Sequence, residues 1–391
     1  MSEQPRTSVT TNGLLWLGAA ISIAEIWTGT LFAPLGWSKG LLAILIGHII
    51  GGVMLFLAGR IGAETGRTAM GTLKIAFGEK GGLFFSVLNV LQLVGWTAVM
   101  IVSGASAINI LIGRADASVI GGCVLIGLLI AAWMFYGPQS FGKINSLVVL
   151  ALAALCLFLS YRVATTDIII NQTFEALSFG AGVELAVAMP LSWLPVISDY
   201  TSRAEKPVLS NTLGNITYFI GSCWMFTIGM GSAIITGYTD LSMLMQMMGL
   251  GVIGLGIIVL STVTTTFLDA RSAAISFGTI SDAIPERTLA LIVTAIGTLI
   301  ACLVPSTSYE SFLYLIGSCF TPMVGILLTE YYLLRHKEVR TSINGINFVI
   351  WCIGFVIYRI VLGFTPITGI TLPVVLFIAA LTYVVHKVLK K

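Results

Sequence analysis

Glu25 lies inside the run Gly18-Ala19-Ala20-Ile21-Ser22-Ile23-Ala24-Glu25, with long apolar stretches on either side. A charged side chain at the centre of a membrane helix costs about 2.5–3.5 kcal/mol on insertion scales, so it must hold a substrate, a proton or a partner. Glu184, Asp199 and Asp269 also stand in or near apolar runs. Asp199 opens Asp199-Tyr200-Thr201-Ser202-Arg203, where a capping or ion-pairing carboxylate fits best. Asp269 precedes Arg271 by two residues, a spacing at which helical side chains do not face each other, so each needs another partner. Glu184 stands near the start of its run, a position suited to an outer vestibule.

Hydroxyls are densest in Ser261-Thr262-Val263-Thr264-Thr265-Thr266. Ser261, Thr264 and Thr265 are spaced i, i+3, i+4 and share one helix face. Sodium takes oxygen ligands, and such a face, with carbonyls freed where an opposing helix unwinds, supplies them. The plainer alternative is hydrogen bonding between helices, the usual work of membrane Ser and Thr. Gln92 and Trp96 are one turn apart on another face, and an indole beside an amide suits a flat, hydrogen-bonding heterocycle. Trp193 offers a second aromatic wall, with Ser192 next to it. His48 reads as one end of an interhelical hydrogen bond.

The elements that position these groups follow from composition. Of 391 residues, 57% are hydrophobic and 9% charged. A soluble domain carries roughly a quarter charged residues, which excludes soluble and disordered classes. A net charge of +3 without a basic cluster excludes a nucleic-acid binder. The chain reads as an all-α polytopic membrane protein. Apolar runs predict about twelve spans, near 14–35, 40–63, 84–112, 117–137, 144–163, 179–199, 209–236, 249–270, 288–304, 311–334, 346–363 and 367–386. With the N-terminus inside, all but Lys39, Arg114, Arg162 and Arg359 of the 20 Lys and Arg fall on the cytoplasmic side, so both termini are expected there, in an inner or plasma membrane. The polar segment 1–13 lacks a signal-peptide pattern. All six cysteines lie in apolar runs and read as buried thiols, with no disulfide framework. Three scattered histidines offer neither a triad nor a metal cluster, which argues against an enzyme.

Two spans carry interruptions. The first holds the small and polar stretch around Ser22, and the sixth holds Pro190 and Pro195, which remove two backbone donors. Interrupted spans at corresponding places in two five-helix halves mark an inverted-repeat secondary transporter, with its substrate between them at the midplane. The halves read as 14–165 and 179–334, followed by two extra helices and a basic tail over 335–391. A channel would want a ring of like residues around a symmetric pore, which the paired breaks do not provide.

These residues also carry a resemblance. Trp27-Thr28-Gly29, the stretch from Ile61 to Gly66, Phe77-Gly78-Glu79-Lys80-Gly81, Gly95-Trp96, Asp199-Tyr200 and the stretch from Pro322 to Tyr331 resemble, in order and spacing, the nucleobase–cation symporter family one of cytosine, purine and hydantoin permeases. The stretch Ser192 to Thr201 is similar to the branch assigned to hydroxymethylpyrimidine, the thiamin precursor. The resemblance implies a LeuT-type 5+5 inverted repeat with discontinuous helices 1 and 6. It places sodium on the Gly18 and Ile21 carbonyls and on Ser261, Thr264 and Thr265, with stacking on Trp96 and substrate contacts at Ser22 and Thr266. There are departures. The family's span-six aromatic falls near Pro190, whereas the chain has Trp193. Its span-three glutamine falls on Leu93, next to Gln92. Thr266 and Phe267 stand where the cytosine branch has asparagines, and Glu25 is not an acid there.

The expectation is thus sodium-coupled uptake of a pyrimidine heterocycle by alternating access, with proton-coupled transport of cytosine or another nucleobase as the alternative. Ser22, Glu25, Gln92, Trp96, Ser192, Trp193 and Thr266 form the candidate substrate set, Glu25 suiting the amino group of hydroxymethylpyrimidine. No cofactor beyond the coupling ion, and no partner beyond the substrate and the bilayer, is expected.

Overall fold

The computed structural model describes residues 6–113, 118–136, 142–169, 173–281, 283–303 and 308–389. Every multi-residue element of the described residues is a helix. Helices α1 (Val9–Ala20) and α2 (Ile23–Thr30) form one bent pair, followed by α3 (Gly36–Thr65), the short α4 (Ala69–Phe77) and α5 (Gly81–Leu111). Then come α6 (Ile120–Tyr136), α7 (Gly142–Thr165), α8 (Phe179–Ser192), α9 (Leu194–Thr201) and α10 (Pro207–Thr236). A second short helix, α11 (Leu241–Met247), precedes α12 (Gly251–Gly278), α13 (Glu286–Leu303) and α14 (Tyr309–Leu328). Helix α14 runs into a π-helical turn, Thr329–Leu333, and α15 (Gly345–Val361) and α16 (Thr371–Leu389) complete the chain.

Among the described residues, eight helices are long and apolar enough to cross a membrane, and α1–α2 taken together is a ninth. The expected spans 117–137, 144–163 and 346–363 fall on shorter apolar helices, Ile120–Phe135, Leu150–Thr165 and Gly345–Val361. Residues 117 and 137, like Arg114 and residues 1–5 of the N-terminal tail, lie outside the described residues. The rest of that tail is not free. Thr7 pairs with the backbone at Arg203 and Glu205, and α1 begins at Val9, ahead of the expected start at 14. Helices α4 and α11 were not expected, being far shorter than a span. Each is built on its own N-cap, Thr68 for α4 and Asp240 for α11.

The packing has an exchange pattern. The first helix of the chain, α1, lies along α10, and α8 lies along α3. Helices α5 and α12 form the most extensive contact and, with α6 and α13, enclose a separate apolar cluster. Helices α2 and α10 cross backbone to backbone. A Cβ built on Gly29 would lie 2.4 Å from the Phe226 carbonyl oxygen, and one on Gly229 2.0 Å from that of Ile26, so only glycine fits either position.

The two expected interruptions differ in extent. Between α1 and α2 the axis bends by 44°. Ser22 is extended there (φ −137°, ψ 156°), and its hydroxyl caps α2 by accepting the Glu25 N–H. Between α8 and α9 only Trp193 stands outside the helices, still in the right-handed region (φ −84°, ψ −12°). Pro190 and Pro195 therefore pinch this span rather than unwind it. Pro195 falls in the first turn of α9, where a missing N–H costs little. Of the cysteines, Cys123 and Cys156 are buried, three are half-buried, and Cys352 is exposed, contrary to the reading of all six as buried.

Candidate functional site

In a continuous helix the N–H groups of Ser22 and Glu25 would close onto the carbonyls of Gly18 and Ile21. Here Ser22 N–H turns to the Ala20 carbonyl at 2.9 Å, and Glu25 N–H is taken by Ser22 Oγ at 3.3 Å. Two carbonyl oxygens are thereby freed at the bend. Helix α12, which touches α2, carries the expected hydroxyl face. Thr264 and Thr265 each donate to the Ser261 carbonyl, at 3.1 and 2.8 Å, leaving their oxygen lone pairs available. The Ser261 hydroxyl is buried with no hydrogen-bond partner, as are those of Thr262 and Thr266. Buried polar groups are rarely left unpaired, so this concentration of them on one helix makes α12 a candidate ligand-binding element. Oxygen-only donors suit a hard cation such as sodium. Thr262 makes no interhelical hydrogen bond; its methyl packs against Gly104 of α5.

Helix α5 presents Gln92 and Trp96. The Gln92 amide donates to Asn89 Oδ1 (2.9 Å) and to the Ser192 carbonyl (2.8 Å), while its own Oε1 is buried without a donor. Ser192 contributes that carbonyl, and its hydroxyl folds back on Met189. Trp96 meets Tyr309 and Phe312 edge-on, with ring centroids 6.1 and 5.4 Å away. Tyr309 stacks on Trp27 at 4.6 Å and 11°, and its hydroxyl pairs with Thr28 Oγ1 at 2.6 Å. Trp193 belongs to a different aromatic group, edge-on to Trp16 at 5.5 Å, beside Tyr200 and Tyr218. Trp96 thus finds its aromatic neighbours in α14 rather than in Trp193. A cavity of about 240 Å³ opens on the far side of the Trp27–Tyr309 stack, lined also by Ser103, Ser106, Asp240 and Glu310.

Glu25 is 1% exposed and faces α10. Its Oε1 accepts from the Tyr218 hydroxyl (2.9 Å) and its Oε2 from that of Ser222 (2.7 Å), which ties the carboxyl to α10. Glu184 does not face a vestibule. It accepts from Tyr358 Oη (2.5 Å), Thr371 Oγ1 (2.6 Å) and the backbone N–H groups of Ile370 (2.6 Å) and Thr371 (2.7 Å), fastening α8 to the C-terminal helices. Asp199 is a capping carboxylate, but for a neighbour: it accepts the N–H of Ala69 at the start of α4 (2.8 Å). Arg271 finds its other partner in Glu286 (2.8 Å). His48 makes the expected interhelical bond, to Ser222 (2.6 Å). His336 and His386, scattered in sequence, converge on Glu330. Among the described residues no group of three or more His, Cys, Asp or Glu could hold a metal ion. The sequence reading missed Tyr218, Ser222 and Tyr309. Tyr218 and Ser222 do share a face of α10 at i, i+4, but nothing in that spacing points to Glu25.

The chain is similar to known proteins over nearly its whole length. The family described as "Permease for cytosine/purines, uracil, thiamine, allantoin" matches residues 2–385. The cytosine permease of Escherichia coli K12 is 25% identical over 357 residues, spanning 89% of this chain and 84% of that protein. Among solved structures, inward-facing Mhp1 aligns with a TM-score of 0.80 at 15% identity, covering all of this chain and 94% of Mhp1. Mhp1, described as a nucleobase-cation-symport-1 family transporter, in a closed conformation with bromovinylhydantoin bound, aligns at 0.75 and 14% identity, over 98% and 92% of the two chains. A Na+-coupled sialic acid symporter aligns at 0.53 and 13% identity, over 96% and 98%. These likenesses give the fold, an inverted-repeat helical bundle in a multi-pass membrane protein. The match over residues 2–385 gives the lineage: the chain belongs to the family of permeases for cytosine, purines, uracil, thiamine and allantoin.

Proposed function

We propose that this chain is a cation-coupled symporter that carries cytosine or a closely related nucleobase across the membrane by alternating access. A permease moves its ligand unchanged, so no catalytic residue is assigned. The observation that carries the reading is the freed carbonyl pair, Gly18 and Ile21, at the bend of a helix pair whose second half, α2, touches α12, the helix that bears the hydroxyl face. Sodium is the coupling ion that this donor set suits, held by those carbonyls with Ser261, Thr264 and Thr265. The base stacks on Trp96. Gln92 Oε1 accepts from an exocyclic amino group, and Ser22 and Thr266 hydroxyls supply the remaining bonds. Binding of ion and base closes the site through their higher affinity for the closed state. Proton coupling is the second reading, favoured by the buried carboxyl of Glu25.

Hydroxymethylpyrimidine ranks behind cytosine. Cytosine is what the similar Escherichia coli permease is named for, and Glu25, the residue suited to the amino group of hydroxymethylpyrimidine, is bonded to Tyr218 and Ser222 of α10. Taking the three shorter apolar helices as spans beside the bent pair and the eight long helices of the described residues gives twelve, which supports a reading as repeats over 14–165 and 179–334. The first helix of each repeat carries an interruption, complete at Ser22 and slight at Trp193. An even number of spans and the Lys and Arg bias put both termini in the cytoplasm.

The test is uptake of labelled cytosine, uracil, hydroxymethylpyrimidine and hydantoin into proteoliposomes under a sodium or a proton gradient, alongside thermal stability. Saturating sodium at about 100 times its dissociation constant stabilises by about 2.7 kcal/mol. That stabilisation is expected in the wild type and absent in Thr265→Ala. Uptake of none of the bases under either gradient would refute the reading.

A further inference from the structure

One chain of short contacts is not used by the proposed transport site. Glu25 Oε2 lies 2.7 Å from Ser222 Oγ, and Ser222 Oγ lies 2.6 Å from His48 Nε2. His48 Nδ1 lies 2.8 Å from the Ile44 carbonyl oxygen. The groups come from α2, α10 and α3, and all three residues are buried.

Counting hydrogens along the chain gives a definite result. A carbonyl has none to give, so His48 Nδ1 carries the hydrogen that points at Ile44. Each of the next two contacts needs a hydrogen of its own. Ser222 brings one hydrogen, and it can point at only one of its two neighbours. The other contact is satisfied only if Glu25 is a carboxylic acid or His48 carries a hydrogen on both nitrogens. Without that extra proton, two acceptors face each other at 2.6 or 2.7 Å inside the protein, where an unmade bond is costly.

We propose that Glu25, Ser222 and His48 form a binding site for a single proton, shared between carboxyl and imidazole through the serine hydroxyl. In one arrangement the Glu25 O–H donates to Ser222 Oγ, and the serine O–H donates to His48 Nε2. In the other, the carboxyl proton has passed to Ser222 Oγ while the serine's own proton has passed to Nε2. Glu25 is then a carboxylate accepting from Ser222, and the imidazolium donates to the serine oxygen. No atom moves beyond a hydrogen shift, and the total charge of the three groups is zero in both.

Among the described residues, the titratable groups around Glu25 are neutral hydroxyls and a thiol. Tyr218 donates to Glu25 Oε1, and the Cys223 thiol on α10 and the Tyr309 phenol on α14 are the other titratable groups facing Glu25. On the α3 side, Phe226 and Phe219 meet the His48 ring edge-on at 4.7 and 6.4 Å. The site is assembled by the meeting of three helices, so drawing any one of them away breaks a contact and frees the proton. The Glu330 cluster needs no such proton. His336 and His386 each turn one nitrogen toward the carboxylate, at 2.5 and 3.1 Å, and two neutral imidazoles satisfy it.

The test is infrared difference spectroscopy of the purified full chain at neutral pH, with 15N-labelled histidine, comparing wild type with E25Q, H48Q and S222A. The proposal expects one protonated group. It appears either as a protonated-carboxyl band lost in E25Q or as imidazolium bands lost in H48Q. In S222A the band of the shared proton is expected to shift or vanish, which keeps the test alive if another variant fails to fold. A carboxylate band lost in E25Q together with neutral-imidazole bands lost in H48Q overturns the proposal, as does an S222A spectrum identical to wild type. The spectra read the proton whether or not a base is carried, so this outcome stands apart from that of the uptake assay.

Discussion

Glu184 and Glu25 are the same residue type, each 1% exposed, in helices at the start of the two halves of the chain. They differ in what donates to them. Glu184 receives four hydrogens, two of them from backbone N–H groups that open α16, where the helix end also favours negative charge. Glu25 receives two, both from hydroxyls that can rotate, and one of those hydroxyls is also bonded to a histidine. Depth in the protein therefore does not separate an anchor from a working group. The number of donors, and whether they can turn away, does.

The comparison can be broken or sharpened by substitution, starting with the anchor. Glu184→Gln keeps an amide oxygen for the two backbone N–H groups but turns its N–H2 toward the Tyr358 and Thr371 hydroxyls, which must rotate to accept; a loss of about 3 kcal/mol is expected, two hydrogen bonds to a charged group at the low end of their range. Thermal unfolding in detergent would show it, and a loss below that of Glu25→Gln would undo the distinction. Tyr358→Phe removes one of the four donors and is expected to cost about 1.5–3 kcal/mol, typical of a hydrogen bond to a charged group. Tyr218→Phe on the Glu25 side should cost less, about 0.5–1.5 kcal/mol, if the carboxyl there shares a proton and its bonds are those of neutral groups. The smallest effect is expected for Glu25→Gln, below about 1 kcal/mol, because an amide still offers one donor and one acceptor in the same places. A large destabilisation in this last variant would make Glu25 a second anchor.

Much of this arrangement is legible along the chain, within one helical turn at a time. Ser22 next to small residues announces a bend because serine caps the helix that follows it. The hydroxyl face of Ser261, Thr264 and Thr265 follows from helical spacing alone. What spacing cannot reach is contact between distant segments. Glu25 and Tyr218 are 193 positions apart, and Glu184 meets donors 174 to 187 positions later, so neither partnership leaves a local trace. The break expected at Pro190 and Pro195 is slight: Pro195 opens a helix, where its missing N–H is not needed, and α8 continues through Pro190 to Ser192. Helices α4 and α11 escaped because a span-length window averages a turn or two of helix into its flanks.

The Glu184 anchor also sets an order on how the molecule is made. Helix α8 leaves the ribosome long before Tyr358, Ile370 and Thr371 exist, so through the synthesis of six further helices its carboxylate has none of its final donors. Chains generally assemble from the N-terminus as they emerge, and here the seating of α8 cannot be completed until the last helix arrives. The two C-terminal helices supply no residue to the proposed ion and base site, yet a chain that stops before them leaves a bare acid in the middle of its bundle. They act as the closing clasp of biogenesis, and a nonsense codon anywhere before residue 358 should send the protein to degradation rather than yield a shorter carrier.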